Sequence, residues 1–268
     1  MESIYGLGRA GRMMSYDPVL ALQAIDQNVP LILLCLAGAL GFSFVYFIIG
    51  IRMAIRQKVY VEPFLGASLF FWHDLSFSLN YQTWMTVYNG HWWLMLWTFG
   101  LMGTVALEAF LIYQFIKYGR AEIFPEMSQG QFTAMTLAAV AAVGVLWFFV
   151  KASLDDPLYF ITFAITAFWS TPFHTGIMLR RRSSAGQSIW MNLSVVILFS
   201  CVSAAFMIAV PAFRSPIYLA VYAVFVCWPV FNIWMIRRMP SEPPYPVPVR
   251  IAFGSQAPGT TGQLAVAE

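Results

Sequence analysis

Two acidic residues lie inside long apolar segments of this sequence. Asp74 falls in the stretch FFWHDLSFSLNYQ, residues 70–82, and Glu108 falls in the next apolar segment. Moving one charged side chain into hydrocarbon costs about 2.5–3.5 kcal/mol even on lenient insertion scales. A desolvated carboxyl is therefore expected to keep its proton at neutral pH and to act as a general acid. The pair predicts proton-transfer chemistry, with Asp74 as the acid and Glu108 tuning it or taking the final proton.

The neighbours of Asp74 are polar at helical spacing. Ser78 and Tyr81 follow it at i+4 and i+7, so a continuous helix would place all three on one face. His73 is adjacent in sequence but points about 100° away around the helix, which predicts that it does not pair with Asp74. His73 could instead orient a carboxylate on another helix or ligate haem.

Glu108 also shares a predicted helix face with polar and aromatic residues. Thr104 lies four residues before it and Trp97 eleven residues before it. Aromatic residues make up 17% of the chain, and Trp72, Trp97 and Trp169 are among those within predicted spans. Such rings could line a cavity for a hydrophobic substrate and stabilise carbocations, although aromatic stripes also occur as plain packing.

The remaining histidines and the cysteines give no metal-binding pattern. His174, in WSTPFHTG, is predicted to pack near the cytoplasmic end of its span, and His91 to lie at the outer surface. Three histidines on three separate segments do not match known metal-ligand spacings. Cys35, Cys201 and Cys227 are expected to be small apolar side chains.

The composition indicates the class of protein that must position these groups. Of the 268 residues, 60% are hydrophobic and 10% charged, and the mean hydropathy is +0.70. Soluble domains are about one-quarter charged, so the sequence predicts an all-α, multi-pass membrane protein. The basic residues form no stripe suited to nucleic acid.

Seven transmembrane helices are predicted, each about 20 residues long as a bilayer requires. Residues 29–238 would form this seven-helix domain. Residues 1–28 would carry a short amphipathic helix with Asp17 as N-cap and Pro18 first, and would not be a signal peptide. Residues 239–268 would form a disordered, Pro-rich cytoplasmic tail. The predicted spans are 29–51, 62–84, 92–117, 131–151, 157–179, 188–210 and 216–236.

The basic residues predict the orientation. Eleven of the 15 lysines and arginines fall in alternate loops and the tail, and four fall on the other side. The positive-inside rule then gives an outside N-terminus and a cytoplasmic C-terminus. The last span contains no lysine, which excludes a retinal Schiff base there.

Three segments carry a resemblance. The second span opens as KVYVEPFLGASLFFWHDLSFSLNY, the third ends as LEAFLIYQFIKYGRAEIFP, and LRRRSSAGQSIWMN leads into the sixth. In this order they are similar to the integral membrane terpene cyclases of fungal meroterpenoid and indole-diterpene pathways, over roughly residues 30–236. The resemblance implies protonation of an epoxide or alkene of a terpenoid-like substrate without metal or other cofactor.

The same resemblance assigns roles to particular residues. Trp72 with Asp74 would represent the acid motif of the second helix, and Glu108 the acid of the third. The family's acid directly follows tryptophan, whereas here His73 intervenes. The family also has an acid in its last helix, where this chain has Asn232, which cannot donate a proton as an acid and is expected to contact substrate.

A second resemblance gives the alternative. TPFHTGIMLRRRSSAGQSIWMN is similar to segments of PQ-loop and SWEET-like transporters, which fold as two three-helix bundles around a linker helix, here span four. Pro63 and Pro172 would occupy corresponding repeat positions, although neither is followed by glutamine. Asn80, Asn192 and Asn232 would then line a site for a small solute. A scaffold protein is a third possibility.

The leading expectation is thus a cofactor-independent cyclase or isomerase of the plasma, inner or endoplasmic reticulum membrane. Its partners would be a hydrophobic small molecule and the lipid bilayer.

Overall fold

The computed structural model describes residues 16–242, and within them the regular secondary structure is entirely helical. Residues 1–15 and most of the predicted tail, 243–268, lie outside this range. A 3₁₀ turn, Pro211–Arg214, precedes the last helix. The helices are α1 Pro18–Gln27, α2 Val29–Gln57, α3 Phe64–Leu79, α4 Tyr81–Thr86, α5 Trp92–Ile123, α6 Gln129–Ser153, α7 Phe160–Arg181, α8 Ile189–Ala209 and α9 Pro216–Ile236.

Five of these helices, α2, α5, α6, α8 and α9, are long and apolar enough to cross a membrane, which indicates a multi-pass membrane protein. Two of the seven predicted spans do not meet both conditions. Helix α3 has 16 residues, or about 24 Å at 1.5 Å per residue, against about 30 Å of hydrocarbon. Helix α7 has 22 residues but buries a series of polar side chains: Thr162, Thr166, Ser170, Thr171, His174 and Thr175.

The start of the described chain has the predicted cap. Asp17 accepts hydrogen bonds from the backbone N–H groups of Val19 and Leu20, with Pro18 at the first helical position. Both features confirm the helix start predicted from sequence. The preceding Tyr16 donates its hydroxyl proton to Asp156 at 2.7 Å, which joins this segment to the connection between α6 and α7.

The second predicted span is not one helix. Helix α3 ends at Leu79, and α4 begins at Tyr81. Between them, the Asn80 side-chain amide donates to the Ser76 carbonyl at 3.0 Å. Asparagine side chains that bond to nearby backbone groups compete with helix continuation. Residues 62–84 are therefore not one continuous helix, and the shared face predicted for Asp74 and Tyr81 is wrong.

The packing of the helices contains an internal correspondence. Helix α2 packs against α8, and α7 packs against α3. The contact between α3 and α5 is matched by the contact between α8 and α9. The contact between α2 and α5 is matched in the same way by the contact between α7 and α9. Helices α2, α3 and α5 thus correspond to α7, α8 and α9, with α6 between the two sets. Since α7 corresponds to α2, Pro172 and Pro63 do not lie in corresponding elements, and that prediction is wrong.

Helix α3 is held against α6 by two tryptophans. The Trp72 indole donates to the Val140 carbonyl at 2.8 Å and lies over Gly144, where a Cβ would come within 2.4 Å of the ring. In the other direction, the Trp147 indole lies 2.8 Å from the Trp72 carbonyl and 3.1 Å from Ser76 Oγ. These contacts fix the rotation of α3 and therefore the direction in which Asp74 points.

Candidate functional site

A cavity of about 90 Å³ lies among α2, α3, α5, α7 and α8. Its lining follows α5 from Trp97 to Leu111, a distance of about 21 Å along the helix axis. At the Trp97 end the rings of Trp97, Phe163 and Phe199 meet, with successive centroids 6.4 Å apart. The polar groups that line the rest of the cavity are Ser43, Tyr46, Glu62, Asp74, Thr104, Glu108, Ser170 and His174.

Asp74 is buried, and both of its carboxyl oxygens are engaged. The Thr104 hydroxyl donates to Oδ2, and His73 Nδ1 lies 2.7 Å from Oδ1. The prediction that His73 cannot pair with Asp74 is therefore wrong. The Cβ directions diverge by about 100°, but rotation about the side-chain bonds brings the two polar groups together.

The hydrogen bonds of Thr104 allow two positions for one proton. Its Oγ1 lies within reach of Asp74 Oδ2 and 2.9 Å from the Leu101 carbonyl. A hydroxyl has only one hydrogen. When Thr104 donates to Asp74 the carboxylate can be ionised, and when it donates to Leu101 the Asp74 carboxyl must supply the proton. Asp74 can thus hold or release a proton without movement of heavy atoms.

Glu108 is buried beside Asp74 in a different setting. Its side chain interacts directly with Asp74 and, at longer range, with Glu62. Its Oε2 is buried without a hydrogen-bond partner among the described residues. A buried carboxyl oxygen without a hydrogen-bond donor is costly, and because Oε2 is enclosed by protein atoms, a molecule in the cavity reaches it only after the Glu108 side chain rotates. Asp74 has a hydrogen-bond partner at each carboxyl oxygen, whereas Glu108 does not. Two adjacent acids in different environments can take different roles, one as proton donor and the other as proton acceptor.

A second polar group in the same cavity was not predicted from sequence. Glu62, just before α3, lies with Oε2 3.0 Å from His174 Nε2 on α7. Tyr46 on α2 contacts both, at 3.0 Å from His174 Nε2. His174 was expected to be an interfacial packing residue, and Glu62 was not singled out. A glutamate directly before the proline that opens an apolar helix is the signal that could have indicated it.

The position of Glu62 depends on the connection between α7 and α8. Arg181 donates to the Tyr60 carbonyl at 2.9 Å, and Gln187 donates to the Val61 carbonyl at 2.8 Å. Arg181 is only 2% exposed and is paired with Glu122 at 2.9 Å. The basic segment predicted as a loop therefore folds inward and fixes the backbone that carries Glu62.

Six of the predicted substrate-contacting residues, including His73, lie outside the cavity lining. Trp72 is directed to α6, as described above, and Ser78 has a buried hydroxyl without a partner among the described residues. Tyr81 and Trp169 are 46% and 48% exposed on the outer surface. Asn232 is fully buried but bonded to Thr175 at 2.5 Å. Of the predicted site residues, Asp74, Glu108, Trp97 and Thr104 line the cavity, while His73 contacts it through Asp74.

The potential metal ligands among the described residues do not form a metal site. Within residues 16–242, no group of three or more histidine, cysteine, aspartate and glutamate side chains is arranged to hold a metal ion. Comparison of the chain with models of known protein families, with curated proteins and with solved structures finds no match.

Proposed function

We propose that this chain is a membrane-embedded enzyme that protonates an epoxide or alkene of a hydrophobic, terpenoid-like substrate without a cofactor. The observation that carries the proposal is the pair Asp74 and Glu108 at one largely apolar cavity with an aromatic end. The topology proposed with it has seven crossings, an outside N-terminus and a cytoplasmic C-terminus. Helix α3 together with α4 would supply one of the two further crossings, and α7 the other.

The geometry favours a division of roles that differs from the sequence-based one. Glu108 Oε2 is the carboxyl oxygen without a protein partner, so Glu108 is the group that delivers a proton to the substrate. Asp74, held by His73 and Thr104, exchanges that proton with Glu108. Proton transfer requires heavy atoms within about 2.6–3.2 Å, and Oε2 comes within that distance of a substrate when the Glu108 carboxyl group, which lines the cavity, rotates toward it.

The aromatic end fixes how a substrate would lie. The apolar area of the Trp97, Phe163 and Phe199 rings accommodates the hydrocarbon chain of the substrate. The oxygen-bearing end of the substrate would face Glu108. A cavity of about 90 Å³ is smaller than the roughly 300–1,000 Å³ of typical ligand pockets. It therefore accepts the reactive end of a substrate, and a longer tail requires the helices to separate.

The test is turnover of the terminal epoxide of farnesol by the purified protein in lipid nanodiscs. We expect the wild-type chain to consume the epoxide. Glu108→Gln and Asp74→Asn should lower the rate by about 10²–10⁴-fold, the usual contribution of general acid catalysis. Glu126→Gln, at an exposed position in the α5–α6 connection, is the matched control and should keep the wild-type rate. Equal rates in Glu108→Gln and wild type would refute the assignment.

The alternative is a proton-coupled transporter of a small solute. It is favoured by the corresponding packing of α2, α3, α5 and α7, α8, α9 around α6, because transporters are often built from such repeats. The small volume of the cavity also suits a small solute. Accumulation of a polar solute in proteoliposomes under an imposed proton gradient, with no epoxide consumed, would decide for this function.

A further inference from the structure

The cluster of Tyr46, Glu62 and His174 has no part in the proton delivery described above. The three side chains come from α2, from the segment before α3, and from α7, and their polar atoms meet at one point. His174 Nε2 lies 3.0 Å from both Glu62 Oε2 and Tyr46 Oη. Tyr46 also donates its hydroxyl proton to Glu62 Oε2.

The hydrogens available to this cluster can be counted. With Glu62 ionised, Tyr46 brings one hydrogen and His174 Nε2 at most one, for three mutual contacts. With Nε2 protonated, Tyr46 and His174 both donate to Glu62; with a proton on Glu62 and none on Nε2, Glu62 donates to Nε2 and still accepts from Tyr46. A proton on either Glu62 or Nε2 is thus accommodated by the existing contacts.

The Glu62 side chain also lies at the start of a helix. Its Oε1 lies over Gly66, where a Cβ would come within 2.7 Å of that oxygen. This puts the carboxylate on the first turn of α3, and a negative charge is stabilised near a helix N-terminus. The Glu62 carboxyl group thus has hydrogen-bond partners in Tyr46 and His174, whereas Glu108 Oε2 has none among the described residues, and we base their different roles on this contrast.

The surroundings contain few competing groups. Among the described residues that line the cavity, α5 contributes Glu108 and α3 contributes Asp74. Helix α8 contributes only apolar side chains, namely Val195, Leu198, Phe199 and Val202. Glu108 interacts electrostatically with Glu62 as well as with Asp74, so the cluster and the acid pair are neighbours in the cavity.

We propose that Glu62, His174 and Tyr46 form a second proton-exchange site of this cavity, which removes a proton from the carbocation that Glu108 generates. This inference rests on the proposed function. In the first step the epoxide oxygen takes the proton of Glu108, and a C–O bond breaks to leave a carbocation. In the second step a C–H bond next to the cation breaks, its electron pair forms a C=C bond, and the proton passes to Glu62. Return of that proton to Glu108 restores the enzyme.

The proposal specifies the class of reaction. Both proton-exchange sites line one cavity, and Glu62 and Glu108 are near enough to interact electrostatically, so the proton is gained and lost within a short part of the substrate. That geometry suits isomerisation of an epoxide to an allylic alcohol. It does not suit formation of several rings, in which the final cation lies far from the protonated end.

The experiment compares the products of wild-type and Glu62→Gln protein acting on the terminal epoxide of farnesol in nanodiscs. The wild type should give the allylic alcohol. Glu62→Gln should still consume the epoxide but form at least about tenfold less of this product, with the diol from water capture in its place. Tyr46→Phe should shift the products in the same direction, and the exposed control Glu126→Gln should not. An unchanged share of allylic alcohol in Glu62→Gln, or a multi-ring product from the wild type, would overturn the proposal.

A second measurement separates failure of this inference from failure of the proposed function. If the wild type consumes no epoxide, the proposed function is refuted, and infrared spectroscopy alone decides whether the cluster exchanges protons. Titration of the substrate-free protein should show a carboxyl band that disappears in Glu62→Gln and shifts its midpoint in His174→Gln. A Glu62 band that titrates identically with and without His174 contradicts a shared proton.

Discussion

Thr104 offers a precise perturbation of the acid pair. Its hydroxyl, on α5, donates to Asp74 Oδ2. Thr104→Val keeps the shape of the side chain and removes this donor, whereas Thr104→Ser keeps the donor and removes one methyl group. The two variants separate the hydrogen bond from the packing.

The magnitude follows from the type of bond. A hydrogen bond to a charged group contributes about 1.5–3 kcal/mol, and 1.4 kcal/mol is a factor of ten, so Thr104→Val should lower turnover by about 10- to 150-fold. Thr104→Ser loses one buried carbon, about 0.8 kcal/mol of packing, and should retain most of the activity. Thr104 is a positioning residue, since it acts through Asp74.

The assay is epoxide consumption in nanodiscs, with thermal unfolding measured on the same samples. We expect Thr104→Ser to restore the activity that Thr104→Val loses, at similar unfolding temperatures. Equal loss of activity in both variants would mean that packing and not the hydroxyl is required, and the account of Asp74 would be wrong.

Four further results are expected. Gly144→Ala places a Cβ within 2.4 Å of the Trp72 ring, which is hydrogen-bonded to Val140, and thermal unfolding should show a loss of about 1–3 kcal/mol of stability. The control Gly41→Ala, whose Cβ would have no atom within 4 Å, should cause no loss of stability. Gly66→Ala should displace the Glu62 carboxylate and reproduce the product shift of Glu62→Gln; wild-type products would contradict the placement of that carboxylate. Burial, together with the charge of Asp156, raises the pKa of Tyr16 above its ordinary value of 10.0. Because the unfolded chain loses that proton from about pH 10 upward while the folded chain retains it, stability should fall as the pH rises above about 10, and Tyr16→Phe should reduce the fall. Tyr81→Ala and Trp169→Ala, both exposed and outside the cavity, should change turnover by no more than roughly twofold.

The helical architecture could be predicted because its signals are long and local. Apolar runs of about 20 residues predict helices of membrane-spanning length, and the pair Asp17 and Pro18 predicts where α1 begins. The break at Asn80 was missed because hydropathy averages over a window, and one side chain bonded to the Ser76 carbonyl does not change that average.

The site could be predicted only in part. Asp74 and Glu108 are conspicuous because each is a charge in an apolar segment. Glu62 and His174 sit near the ends of their segments, where polar residues are common, and only tertiary packing brings them within 3.0 Å of each other. The pairing of His73 with Asp74 was excluded by a rule on Cβ directions that ignores side-chain rotation.

The measurement that tests the central claim most directly is a structure of the protein bound to an ammonium analogue of the cation, a farnesyl chain with a tertiary amine at its terminal branch. The account predicts the nitrogen within about 2.6–3.2 Å of Glu108 Oε2, with the hydrocarbon chain directed toward Trp97. An analogue bound outside this cavity, or with its nitrogen at the aromatic end and away from Glu108, would contradict it.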